Sequence, residues 1–227
     1  MEAQRDGEAH RHYYLAVDRQ QFKLGTLVDL LDVIGRRSGL PIVLCCSSRD
    51  GLDAVCATIS SLPYISLSCL HSDLAEVDRA SHIETFRRIT LEWLLKNGVE
   101  AKEYEENIKG QNSYMLVMTD SCLPMQALGE APFSAKILIN YDLPTKKEAY
   151  MRRLAACMAG THFPSTNKLI GVTIPTLTTS STSTINPSHG AIVINMVVGG
   201  EVVSLKNIEE GCGLVIEEMP IHISELL

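Results

Sequence analysis

The sequence predicts an α/β fold: a three-layer domain with a mostly parallel sheet flanked by helices, carrying two inserted loops. Three observations predict it. Short apolar runs of β character alternate with segments of helical period along the chain. The run PIVLCC (41–46) is apolar throughout, as a strand buried on both faces requires. The regular alternation of the two kinds of segment is that of parallel strands joined by helical crossovers.

Each element has its own signal. HYYLAV (12–17) reads as the first strand, and Leu24, Leu27, Leu31 and Ile34 then recur at helical spacing. PIVLCC follows, entered by Pro41. Leu52, Val55, Cys56 and Ile59 mark the next helix, YISLSCL (64–70) the next strand, and Glu76 to about Leu95 a further helix. YMLVMT (114–119), KILINY (136–141), GAIVINMVV (190–198) and GLVIEE (213–218) complete the strands, with helices at about 146–158 and 201–210.

Two stretches break the rhythm. Residues 89–112 form an acidic, partly helical spacer, and 161–189 contain a block that is nearly all Ser and Thr. Such a block buries little and reads as a flexible loop, although KLIGVTI (168–174) within it suits either a loop or a short edge strand. The residues from 173 to 184 are candidate phosphate acceptors or a plain linker. We therefore expect one domain over 1–227, insertions at about 89–113 and 161–189, and a flexible N-terminus over 1–11.

Composition excludes several functions. A hydrophobic fraction of 45% and a charged fraction of 21% are those of an ordinary globular chain. No apolar run approaches the ~20 residues of a membrane-spanning helix, so no membrane partner is expected. The polar start carries no secretory signal. The seven cysteines form no C-x-x-C pair, which signals neither zinc nor a disulfide framework and fits a reduced compartment, the cytoplasm or the nucleus. His10 and His12 read as part of a mobile terminus rather than a metal site, and Cys45 and Cys46 as small core hydrophobes. A net charge of −7 weighs against strong nonspecific binding to nucleic acid, and no DNA partner is expected. No G-x-G-x-x-G turn follows a strand, which leaves a dinucleotide-binding domain remote.

A series of motifs in order carries the most information. YYLAVDRQQFKLGTLVDLLD, PIVLCCS, CLHSDLAEVDRASHIETFR, LVMTD, LINYDLP and EEMPIHISELL together resemble the second, C-terminal RecA-like lobe of DEAD-box RNA helicases, of the translation-initiation-factor type. The resemblance covers about 12–88, 114–160 and 190–227. It implies a lobe that closes with a first lobe around ATP and a single RNA strand. The first lobe's phosphate loop, G-x-x-x-x-G-K-[ST], and its D-E-A-D are both missing from this chain.

The second lobe's own chemistry is also altered. Where the family reads A-R-G-x-D after its T-D pair, this chain has Pro124 for the arginine, Met125 for the glycine and Ala127 for the aspartate. In H-R-I-G-R-x-G-R, the histidine becomes Arg152 and the first arginine remains as Arg153. The two arginines that reach the γ-phosphate become Ala156 and Ala159. An arginine finger is worth ~10³–10⁵ in rate, or ~4–7 kcal/mol of transition-state stabilisation. The resemblance thus implies a non-catalytic relative with no cofactor, metal or catalytic residue. Its expected partners are proteins of RNA metabolism, such as helical-repeat scaffolds, with weak RNA contact.

By the same resemblance Arg49, His71, Asp73, Arg79, Thr119 and Asp120 are candidate RNA contacts. The plainer reading has Arg49, Arg79 and Arg87 as solvated helix-end arginines, Asp120 as a turn or cap residue and His71 as a structural histidine. Lys146, Lys147, Arg152 and Arg153 form the one dense basic cluster, which is either a solvated helix face or a docking patch. The alternative function is a helicase lobe completed by a first lobe supplied in trans or missing from this chain.

Overall fold

The computed structural model describes residues 10–98, 112–125, 128–158 and 190–220. Seven strands, β1 (Arg11–Val17), β2 (Pro41–Cys46), β3 (Ile65–Leu70), β4 (Ser113–Thr119), β5 (Ile137–Asn140), β6 (Ile192–Val198) and β7 (Ile216–Glu218), form one sheet in the order β3-β4-β2-β5-β6-β1-β7. Every pairing is parallel. Five helices connect them: α1 (Lys23–Ile34), α2 (Arg49–Ile59), α3 (Glu76–Gly98), α4 (Lys147–Met158) and α5 (Val202–Cys212). The class and element order expected from the sequence are therefore observed.

The layers follow from which residues are apolar. β2, β5 and β6 are buried along their whole length because helices cover both faces of the sheet. On one face, Leu27, Leu31 and Ile34 of α1 and Leu52, Val55 and Ile59 of α2 pack on Ile42, Leu44, Ile139 and Ile194. On the other, Phe86 of α3, Tyr150 and Leu154 of α4 and Ile208 of α5 pack on Val43, Cys45, Leu138 and Val193. The outer strand β7 buries only Ile216 of its three residues.

Local chemistry sets the boundaries that matter for the site. Ser48 caps α2 by accepting from the Gly51 amide at 3.1 Å, and Asp50 lies in the positive first turn. A 3₁₀ turn at Asp120–Cys122 ends β4 and redirects the chain. α3 runs on to Gly98, so the first ten residues of the expected 89–113 insertion are helix instead. Its long amphipathic register continues through Ile89 and Thr90, both buried. Residues 99–111, the Ser/Thr block with KLIGVTI, most of the N-terminus expected to be flexible, and the last seven residues lie outside the described set.

His12 overturns the reading of the N-terminus. It sits inside β1, 6% exposed, because β1 is sandwiched between β6 and β7 from Arg11 onward. Cys45 and Cys46 are fully buried core residues, as expected.

Leu44 lies at the centre of β2 with no exposed surface. Leu44→Ala should lower stability by about 2–5 kcal/mol. Urea unfolding should show a reduced midpoint and an unchanged slope.

Candidate functional site

Several polar side chains inside the sheet form a connected chain beneath α4. Tyr150 and Arg153 lie one turn apart on the helix and both point inward, fully buried. The Tyr150 oxygen accepts from Asn195 Nδ2 at 3.3 Å, and the same hydroxyl hydrogen-bonds His12 Nδ1 at 2.9 Å. Asn195 Nδ2 also donates to the Tyr13 carbonyl at 3.0 Å. Asn140 and Asn195 are register neighbours on β5 and β6, and Asn140 Nδ2 donates to Asn195 Oδ1 at 2.8 Å.

Arg153 ends this chain and uses every donor it has. Its Nε and Nη2 donate to the two Asp120 oxygens at 2.6 and 2.9 Å. Its Nη1 donates to Asn140 Oδ1 at 2.9 Å and to the Asp142 carbonyl at 2.7 Å. Its Nη2 also donates to Ser47 Oγ at 3.2 Å. Five N–H groups meet five acceptors, the full capacity of a guanidinium. Burial works against its charge, but the Asp120 bond works for it, and the pKa ends above that of a free arginine. A second buried cation, Lys23, lies 3.2 Å from Asp142 and over the Tyr141 ring at 4.8 Å. Asp142 in turn accepts the Ser47 amide at 2.9 Å.

Above this layer is an open depression of about 220 Å³, lined by Ser47, Ser48, Arg49, His71, Ser72, Thr119, Asp120 and Ser121. It lies beyond the C-terminal ends of β2, β3 and β4, where open α/β sheets place their ligands. Five of the eight lining residues carry hydroxyls. Arg49 is shared between Asp53, at 2.9 and 3.0 Å, and Asp73, at 3.0 Å. His71 Nδ1 accepts the Asp73 amide at 3.2 Å. Thr119 and Ser121 are joined through their hydroxyls at 2.9 Å.

Arg49, His71, Thr119 and Asp120 therefore come together, with Asp73 held beside them by Arg49. Arg79 does not line the depression and donates to the Cys122 carbonyl at 3.3 Å, and Arg87 donates to the Ala131 carbonyl at 2.7 Å. Neither is a solvated helix-end arginine, and Asp120 is the partner of Arg153 rather than a cap.

The basic cluster is corrected in one member. Lys146, just before α4, and Lys147 and Arg152 on it are exposed, and Arg152 Nη2 donates to the Asp120 carbonyl at 2.8 Å. Arg153 is 0% exposed and cannot belong to a surface patch. The reason is helical phase: it follows Tyr150 by three residues on the face that packs on the sheet. Ala156 continues that inner face at 1% exposed. Ala159 and Ala127 lie outside the described residues. Among the described residues no group of three or more His, Cys, Asp or Glu side chains is placed to hold a metal ion.

Sequence comparison agrees with the architecture. Eukaryotic initiation factor 4A of Drosophila melanogaster is 24% identical over 220 residues, 97% of this chain and 40% of the relative. An ATP-dependent RNA helicase, eIF4A, of Meyerozyma guilliermondii is 25% identical over 219 residues, 96% of this chain and 41% of the relative. Over nearly its whole length this chain is similar in sequence to DEAD-box RNA helicases, and it shares the fold of their C-terminal lobe. The lobe thus spans about 40% of the length of the curated relatives it matches. No family model matches it. Among solved structures, the C-terminal domain of the DEAD-box protein Dbp5 superposes with a TM-score of 0.60 at 16% identity, covering 94% of this lobe and 91% of that chain. The E. coli DEAD-box protein SrmB, bound to the regulator of ribonuclease activity A, gives 0.56 at 15% identity, covering 94% and 92%. Among the described residues, no helix of the lobe is long and apolar enough to cross a membrane.

Sequence reasoning missed the hydroxyl lining, the buried Lys23–Asp142 pair and the asparagine ladder. Only the ladder left a signal. Asn140 and Asn195 are the sole polar residues inside two otherwise apolar strands.

Two outcomes are expected from this layer. Arg153→Lys keeps a charge but loses the planar fork, so stability should fall by about 1–3 kcal/mol in chemical denaturation. Burial, then the nearby His10, holds His12 down to about 4 in the fold against 6.5 when unfolded. The unfolded chain binds the extra proton between those values, so stability should drop as pH falls from about 6.5 to 4. His12→Asn should flatten that part of a stability–pH profile.

Proposed function

We propose that the lobe is a non-catalytic binding module, an adaptor for protein partners in RNA metabolism or translation with weak RNA contact. One observation carries this reading. Arg153, the arginine of the H-R-I-G-R-x-G-R stretch that persists, has all five donors directed at protein acceptors. It has none left for a phosphate. Ala156, at a finger position by resemblance, lies against the core. An arginine there would bury a charge instead of meeting a nucleotide.

The depression fits weak RNA contact and little more. Its hydroxyls, His71 and Arg49 offer hydrogen bonds, while Asp53 and Asp73 already hold Arg49. Lys146, Lys147 and Arg152 form an exposed basic strip suited to an acidic surface on a scaffold protein, for which helical-repeat proteins are our candidates. SrmB, which shares the fold, is seen with a protein partner.

The second reading is a helicase lobe that works with a separate first lobe. It is favoured by the coverage, since the match takes in only about 40% of each helicase's length.

ATP hydrolysis and binding of single-stranded RNA, measured with and without a separately supplied helicase first lobe, decide between them. The expected result is no turnover beyond that of the first lobe alone, and RNA binding that weakens steeply with salt. RNA-stimulated turnover on mixing would establish the second reading. Ala156→Arg should restore no activity and should lower stability by about 1–3 kcal/mol or more.

A further inference from the structure

Two thiols meet at the rim of the sheet. β3 is an edge strand, and its Ile65, Leu67 and Cys69 alternate onto the face covered by α1 and α2. Ser68, between them, turns the other way and meets His82 of α3 at 3.2 Å. On α2, Leu52, Val55 and Ile59 enter the core, and Cys56 packs against the same apolar cluster as Cys69. The Cys56 thiol hydrogen-bonds the Cys69 sulfur.

The two elements are fastened close to this contact. Arg49, at the start of α2, donates to Asp73, just beyond β3, at 3.0 Å. Cys56 follows Arg49 by about two turns on the same side of the helix. The guanidinium is near enough to act electrostatically on both sulfurs.

The other cysteines are placed differently. Cys45, Cys46, Cys122 and Cys157 are buried. Cys45 and Cys157 also hydrogen-bond each other, but neither has any exposed surface. Cys212 is half-buried on α5, where its charged neighbours are Lys147 and Glu148. Of the seven cysteines, only Cys56 and Cys69 combine partial exposure with a half-buried thiol partner. A thiol is oxidised where solvent reaches it, and the product becomes a disulfide where a second thiol stands beside it.

We propose that Cys56 and Cys69 form a reversible disulfide when the chain meets hydrogen peroxide, which bolts α2 to the edge strand β3. Burial, then the neighbouring Cys69, pushes the Cys56 thiol up to about 12, so Cys69 is the sulfur that attacks first. It breaks the O–O bond and becomes a sulfenic acid, and the other peroxide oxygen leaves as water. Cys56 then attacks that sulfur, and the sulfenic oxygen leaves as a second water. Two thiols lose two electrons and two protons, and the peroxide is reduced. The inference is independent of what the lobe binds.

The test treats the folded, fully reduced chain with hydrogen peroxide, alkylates the remaining thiols after unfolding, and maps the peptides by mass spectrometry. The expected product is a single chain in which Cys56 and Cys69 are linked with the loss of two hydrogens, while Cys45, Cys46, Cys122 and Cys157 are still alkylated. Dithiothreitol should restore both thiols. Cys56→Ser should abolish the link and leave a sulfenic acid on Cys69 that dimedone traps, and Cys212→Ser should leave the link unchanged. The mapping on the unsubstituted chain needs no variant to fold. Cys56 and Cys69 both still alkylated after treatment, a link from Cys56 to its other near neighbour Cys46, or a link between two chains would each overturn the proposal.

Discussion

The ion pair between Arg153 and Asp120 is the constraint on which the rest of the C-terminal edge depends. A guanidinium taken fully out of water costs several kcal/mol unless each of its hydrogens finds an acceptor. Here the acceptors come from Ser47 beyond β2, Asp120 beyond β4, and Asn140 and Asp142 at the end of β5. One side chain from α4 therefore ties three strand ends together. It fixes where Ser47 and Asp120, two walls of the depression, stand. The same satisfaction that makes the charge tolerable removes it from any ligand.

Below the ion pair, the asparagine ladder and the Tyr150–His12 contact extend the polar layer to β1. Each member's unmet hydrogen-bonding capacity is filled by the next, so the layer acts as a unit. His12 stays neutral because its only polar neighbour in this layer is a tyrosine hydroxyl, in surroundings too dry for an imidazolium. The layer fixes where α4 can sit on an otherwise apolar sheet face. A one-residue slip of Tyr150 and Arg153 would strip Asn140 Oδ1 and the Asp120 carboxylate of their guanidinium partner.

The elements were legible in the sequence because their signals are local. An unbroken apolar run such as PIVLCC has few structural solutions, and neither does a Leu-Leu-Leu-Ile pattern at helical spacing. The order of motifs extended that to the architecture. The site was legible only in part: Arg49, His71, Thr119 and Asp120, named from the order of motifs, do come together around the depression. Arg153 shows the limit. Within a run of two arginines and two lysines it looks like surface charge, and its burial depends on helical phase against a sheet whose asparagines lie at positions 140 and 195. Arg79 and Arg87 fail for the same reason, since the carbonyls they bind belong to a loop over forty residues away. His12 fails because strand pairing on both sides was invisible from a polar terminus.

The departures from the parent pattern are distributed by the topology of a parallel sheet. All strands begin at one edge and end at the other, while α3 and α4 run back and finish where the strands begin. The stretch after Gly98 returns at Ser113, the start of β4, and the stretch after Met158 returns before Ile192, the start of β6. These four points lie on the edge opposite the depression, away from the strand ends that Arg153 ties together. At the depression's own edge, Arg79 and Arg87 of α3 hold the carbonyls of Cys122 and Ala131. A scaffold so divided keeps its architecture while the two edges diverge separately.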